Sequence, residues 1–421
     1  MLKIYSPFLL AISVPISALP DLGIRAKLEA NFGQSSYDRW PSSWRRPLVP
    51  QKRDDSTGIN HNPDGTPFLW LPQDTYAGST FFDEWDFFNT DDPTHGQVDY
   101  VNKSTAQEMG LFWVADNGTA FMKADDTSVL PLGVTRASIR ITSQKTYNTG
   151  LFILDLNRAP WGCAIWPAFW TVGGNWPHNG EIDILEGVHD NEHNQIAWHT
   201  DPGCHLDTNA TFTGQVPNNS TNCDANVNSN SGCDVVEWSR ASYGTFFESQ
   251  GGGILAMKWD ENDISVWSFF RAAIPTDVTA GTPNPSLWGP PSAMLMNTKC
   301  DIPKYFTNHS IVFGEYYGFY FTAIHNKLTN VILDITFCGD WAGNSYATSG
   351  CPGTCPERMT DPTNFENATW SINSLKVYRK QVLAGKDTSG ARSTRHIMHS
   401  VVGKARYLLG PVFLLLAYEL W

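Results

Sequence analysis

The hexapeptide Glu181-Ile182-Asp183-Ile184-Leu185-Glu186 sets three carboxylates inside an apolar run whose length and composition read as a buried strand. Side chains alternate across a strand, so Glu181 and Asp183 share a face. Glu186 stands at an odd offset from both and points the other way in regular geometry. One extra residue, a β-bulge, returns it to their side. Three acids on one face repel one another, a cost that points to chemistry. Retaining glycosidases use two carboxyls about 5 to 5.5 Å apart, one attacking the sugar and one protonating the leaving oxygen. Glu181 and Glu186 suit these parts, with Asp183 hydrogen-bonding the nucleophile and keeping the two glutamates in different protonation states. A solvent-facing antiparallel strand with alternating acids is the competing structural reading.

The residues leading into the acids are aromatic. Trp161 to Trp170 is followed by Gly173-Gly174-Asn175-Trp176-Pro177-His178-Asn179-Gly180. Indole faces pack on the C–H faces of sugar rings, which makes Trp166, Trp170 and Trp176 candidate substrate-binding residues. Core packing competes for Trp166 and Trp170, whereas Trp176, among Gly, Asn and Pro, is expected at the surface. Downstream, His189-Asp190-Asn191-Glu192-His193 fits the H-x-x-E-H pattern of a zinc protease, which needs a helix to align both imidazoles. The surrounding Gly187, Asp190, Asn191 and Asn194 favour a turn between strands, so no metal site is expected there.

The run WPAFWTVGGNWPHNGEIDILEGVHDNEHNQIAWHTDPGC, residues 166–204, resembles glycoside hydrolase family 16, and within it the fungal laminarinase-like endo-β-1,3(4)-glucanases. Further segments share the resemblance: Phe81-Phe82 to Tyr100, Ser138 to Thr142, Gly150-Leu151-Phe152, and Cys338 to Gly343. It spans roughly residues 67–380. The resemblance implies a bulged catalytic strand, with Glu181 as nucleophile, Glu186 as acid/base and Asp183 as their assistant. It also implies that His199 lies beside the nucleophile and that Trp341 lines the cleft. The implied fold is all-β, a jelly-roll sandwich of two antiparallel sheets with a concave substrate cleft. The implied activity is endo-acting, retaining hydrolysis of β-1,3- or mixed β-1,3-1,4-glucan, with no cofactor. Transglycosylation of cell-wall glucan is an alternative by the same chemistry, and a glucan-binding protein that has lost catalysis is another; all three acids are present here. One departure is the span from Asn308 to about Lys327, aromatic and nearly uncharged, where family members pass with few residues. It reads as a retained intron, or else as a loop over the cleft.

The 421-residue chain carries a net charge of -13, which argues against a nucleic-acid surface and leaves binding of an uncharged polymer to shape and aromatics; 17 tryptophans suit that. A β-glucan is the expected partner of a monomer. Many short apolar runs split by turn residues favour stacked antiparallel sheets, and Ile254–Trp259 with Ile264–Phe269 reads as a hairpin. Residues 1–18, with Lys3 ahead of an apolar run, read as a signal peptide, and 19–66 as a propeptide or linker holding a dibasic Lys52-Arg53 pair. The catalytic domain is expected over 67–380. In the 381–421 tail, small residues at 389–391, a basic spacer and an apolar end partly match an anchor signal, the one expected route to a membrane. Seven N-x-S/T sequons (Asn102, Asn117, Asn209, Asn218, Asn219, Asn308, Asn367) and eight cysteines fit a secreted, disulfide-braced protein. The cysteine pairing stays open.

Overall fold

The computed structural model describes residues 58–313 and 334–383. The expected signal peptide, most of the expected linker and nearly all of the C-terminal tail lie outside the described residues. Pairing is present ahead of the expected boundary, because Asn60–His61 pairs with Phe68 and Pro67. It also runs past the expected end, since the strand Thr369–Val382 carries the ladder two residues beyond 380.

Two antiparallel sheets stack into the jelly-roll sandwich the sequence implies. The sheet that carries the acids comprises β1 (Trp85–Phe87), β2 (Ile141–Tyr147), β3 (Ile165–Gly173), β4 (Glu181–Glu186), β5 (Gln195–His199), β6 (Cys233–Val236), β7 (His309–Phe313) and β8 (Asp334–Phe337). Its order is β6-β5-β4-β3-β7-β2-β1, so β4 is interior, paired on both edges. The second sheet is built around Thr369–Val382, which pairs with Pro67–Ala77 on one side and Gly150–Arg158 on the other. The hairpin Gly253–Trp259 and Asp263–Phe270 extends it, as its pattern predicts. Between the sheets lies one apolar core, to which Ile182, Ile184, Leu185, Phe169 and Trp198 contribute from one side and Leu154, Leu255 and Leu375 from the other. Each such side chain contributes about 1.5–3 kcal/mol on burial, which fixes the register of the strands that supply them.

All eight cysteines are paired: Cys163–Cys351, Cys204–Cys300, Cys223–Cys233 and Cys338–Cys355. The first closes 188 residues of chain, worth roughly 5 kcal/mol in a chain-entropy account.

The span expected to be inserted chain needs redrawing. His309–Phe313, inside it, is an integral strand between β3 and β2. β8 pairs with the same edge of β3: Val312 stands opposite Trp170, and Asp334 opposite Ala168. Phe313 therefore falls opposite Phe169, and Asp334 takes the very next ladder position. β7 and β8 thus lie in line along one edge of β3, with Phe313 and Asp334 at consecutive ladder positions. Joining Phe313 directly to Asp334 is expected to give a continuous strand. The deletion variant should unfold cooperatively, at or above the parent's melting temperature; a variant that fails to fold would show that 314–333 belongs to the architecture.

Candidate active site

The bulge is present. Across the β3–β4 ladder Phe169 pairs with Leu185 but Trp170 with Asp183, leaving Ile184 unmatched. On the other edge the pairing passes from Asp183–Ala197 to Glu186–Gln195. Ile184 and Leu185 consequently both enter the core, two consecutive residues on one side. The carboxylates of Glu181, Asp183 and Glu186 are left together on the opposite face, each no more than 6% exposed. Glycines bracket the strand. Gly180 has φ +78°, and a Cβ there would lie 2.4 Å from the Tyr305 carbonyl; at Gly187 a Cβ would lie 2.5 Å from the Tyr243 ring.

Each glutamate receives an indole N–H. Trp166 Nε1 donates to Glu186 Oε1 at 2.9 Å, and Trp176 Nε1 donates to Glu181. Both tryptophans thus meet the acids themselves. Trp166 also packs edge-on against Trp341, with ring centroids 5.7 Å apart. Trp166, Glu186, His199 and Trp341 line a cavity of about 460 Å³, joined by Gln195 and Asn230. Trp170 is placed differently. It stands cross-strand from Asp183, is 1% exposed and packs with Ala168, Phe88 and Val172 outside the cavity lining. Its part here is packing, because a stacking platform needs an open ring face.

His199 sits opposite Glu181 in the β4–β5 ladder and reaches Asp183. Its Nε2 lies 3.2 Å from Asp183 Oδ2 and its Nδ1 3.0 Å from Asn230 Oδ1. Oxygens beside both ring nitrogens favour the protonated ring. Burial opposes that charge, but Glu181 and then Asp183 outweigh it and raise the pKa to about 10. Burial also pushes Glu181 well above the usual carboxylate range, and Asp183 adds to the rise; His199 and the Trp176 indole pull against it. Ligand-type atoms of Glu181, Asp183 and His199 all lie within 4.8 Å of one another.

Several loop residues complete the cavity. Asn230 belongs to a loop closed by Cys223–Cys233, in which Asn228, Ser229 and Asn230 all have left-handed backbone (φ +52°, +55° and +60°). Sequence reasoning passed over it, because an Asn-rich loop carries no spacing signal. Trp341 rides on the turn Gly339–Gly343, directly after Cys338 of the Cys338–Cys355 bridge. His189, first residue of the H-x-x-E-H run, lies in a loop. Its Nδ1 accepts from the Ala164 N–H at 3.1 Å and its Nε2 faces Ser345 Oγ at 3.1 Å. Ser345 in turn donates to the Trp341 carbonyl at 2.7 Å, so this histidine braces the Trp341 turn.

His309 supplies a contrast. Burial pushes it down to about 3, and its ring accepts from Thr171 and donates to the Asn179 carbonyl. NMR titration is therefore expected to find His199 charged and His309 neutral near neutral pH. The folded-state value of His199 lies above its unfolded ~6.5. Its pairing thus stabilises the fold fully below that pH and ceases to do so as pH rises through about 10. A neutral His199 at pH 7 would contradict the network.

A sequence profile for the XgeA-like catalytic domain of glycoside hydrolase family 16 matches residues 85–315 and 320–378. The chain is 42% identical over 309 residues to a probable glycosidase of Schizosaccharomyces pombe, covering 72% of this chain and 68% of that protein. It is 37% identical over 318 residues to the endo-1,3(4)-beta-glucanase xgeA of Emericella nidulans, covering 73% of this chain and 47% of the other. It spans about half the length of that relative and of similar Aspergillus proteins. Laminarinase 16A from Phanerochaete chrysosporium, solved with beta-glucans in donor and acceptor sites, superposes with a TM-score of 0.66 at 37% identity, over 74% of this chain and 100% of that one. An elongating family 16 beta-1,3-glucosyltransferase gives 0.65 at 36% identity, with the same coverage. With most of its length matched to the catalytic profile, the chain belongs to glycoside hydrolase family 16.

Proposed function

We propose that this chain is an endo-acting, retaining hydrolase of β-1,3- or mixed β-1,3-1,4-glucan. The observation that carries the reading is the bulged β4, which gathers Glu181, Asp183 and Glu186 on one face, with Glu186 lining the cavity beside Trp166 and Trp341. Glu181 attacks the anomeric carbon while Glu186 passes its proton to the departing glycosidic oxygen. Glu186, now a base, takes a proton from water, and the hydroxide formed displaces Glu181. Both displacements invert, so the configuration is retained. The His199 imidazolium and the Trp176 indole N–H favour the reactive anion of Glu181, against its burial and the neighbouring Asp183 charge, while Asp183 holds His199 beside it.

Transfer to a sugar hydroxyl instead of water is the second reading, favoured by the likeness to the elongating glucosyltransferase. The same intermediate serves both outcomes. Secretion belongs to the proposal as well. Four disulfides brace the described chain, and six of the seven sequon asparagines are exposed, with Asn367 half-buried. Attachment to a cell wall or membrane rests on the C-terminal tail alone.

The test is incubation with laminarin and with mixed-linkage glucan, reading product length by chromatography and anomeric configuration by NMR, beside Glu181→Gln and Glu186→Gln. Short β-configured products are expected first. The Glu186 variant is expected to lose ~10²–10⁴-fold on the natural polymer. Products longer than the starting oligosaccharide would assign transglycosylation, whereas α-configured products, or full activity in Glu181→Gln, would overturn the retaining reading.

A further inference from the structure

A bulge detaches backbone groups from the ladder, and inside a sheet those groups need partners. In β4 the break falls between Asp183 and Glu186 on the edge facing β5. The side chain of Asn194, one residue ahead of β5, fills it. Its Oδ1 accepts from the Glu186 N–H at 2.8 Å, and its Nδ2 donates to the Ile184 carbonyl at 2.9 Å. One planar amide therefore reproduces both halves of a missing ladder rung, spanning the residue that changes face. A carboxylate lacks the donor and a hydroxyl lacks the reach, so both atoms of the amide are used.

Asn194 is itself fixed. It is fully buried; its N–H donates to Ser242 Oγ at 2.9 Å, and its carbonyl accepts from the Glu237 N–H at 2.9 Å. Behind it lies the Glu237 carboxyl, 2% exposed, which accepts from Ser268 Oγ at 2.6 Å. Burial raises the Glu237 pKa to about 7, against the pull of hydrogen bonds from Ser268, Ser292, Ser242 and Asn194. Glu186 is consequently held at two ends, its backbone by Asn194 and its carboxyl by the Trp166 indole.

We propose that Asn194 is a positioning residue for the acid/base: its amide clamps the bulge and so sets the direction from which Glu186 delivers its proton. This rests on the reading of Glu186 as the proton donor. Without the clamp, the Ile184 carbonyl and the Glu186 N–H lose their partner. The bulge then loses its fix on the β5 edge, and the Glu186 carboxyl is no longer held in one direction relative to Glu181. Glu181 and Asp183 precede the break and keep their register. The loss therefore falls on proton delivery and spares nucleophilic attack.

Leaving-group dependence separates the two. An oligosaccharide of the β-1,3 series needs its leaving oxygen protonated, whereas a dinitrophenyl β-glycoside of the same sugar leaves unprotonated. Asn194→Ala is expected to lower kcat/KM on the oligosaccharide by ~10–100-fold, a fraction of the 10²–10⁴ typical of an acid/base group. On the aryl glycoside the change should stay within about threefold, and added azide should speed turnover of that substrate. Equal losses on both substrates, or no loss on either, would overturn the proposal. Glu186→Gln is the control. If it shows no such split, the acid/base assignment fails, independently of Asn194. Should Asn194→Ala not fold, hydrogen exchange on the unaltered protein decides: the Glu186 amide is expected to be protected like the ladder amides of β4, and rapid exchange there would contradict the clamp.

Discussion

A strand with strict alternation cannot place both Glu181 and Glu186 on one surface, and the rest of the site follows from how the chain resolves that conflict. The single unmatched residue, Ile184, is apolar and enters the core beside Leu185. Burying two consecutive apolar side chains on one side contributes free energy that opposes a return to regular pairing. The same choice turns Glu186 outward. Core packing and active-site geometry are thus one constraint, enforced where β4 is paired on both edges and has no freedom to slide.

Gathering acids at a buried surface raises an electrostatic cost that the protein meets with neighbouring donors. Two indole N–H groups, each on a different glutamate, and one imidazolium face the three acids. The donors come from β3, from the loop ahead of β4, and from β5, so the network depends on the sheet order. Bridges then hold the irregular parts of the wall: Cys223–Cys233 closes the loop bearing Asn230, and Cys338–Cys355 begins at the turn bearing Trp341. Preorganised groups of this kind do not have to be ordered when substrate arrives.

Much of this was legible in the sequence, for physical reasons that can be named. Carboxylate spacing and strand parity bring Glu186 to the face of Glu181 only through a bulge, and the bulge is there. Trp176, expected at the surface from its Gly, Asn and Pro neighbours, is half-buried with its indole N–H on Glu181. Trp166 and Trp170 were not separable by pattern, since both occupy the same face of β3; only the packing of Ala168, Phe88 and Val172 distinguishes them. The turn residues around the H-x-x-E-H run point to the loop that is found, but its use in bracing the Trp341 turn depends on contacts 156 residues apart in sequence. Asn194 and Asn230 left no signal, because an asparagine in a turn looks the same whether it caps a backbone or clamps a catalytic strand. The Asn308 to Lys327 reading takes in His309–Phe313, which is a strand of the sheet. His309–Phe313 resembles inserted aromatic chain in composition, and ladder register alone shows it to be core.

The central claim, that Glu181 is the nucleophile presented by a bulged strand, is tested most directly by trapping its covalent intermediate. A 2-deoxy-2-fluoro β-laminaribioside with a dinitrophenyl leaving group should form the glycosyl-enzyme faster than water resolves it. Peptide mass spectrometry is expected to find one sugar adduct per chain, on Glu181. An adduct on Glu186 or Asp183, or inactivation without any adduct, would contradict the account.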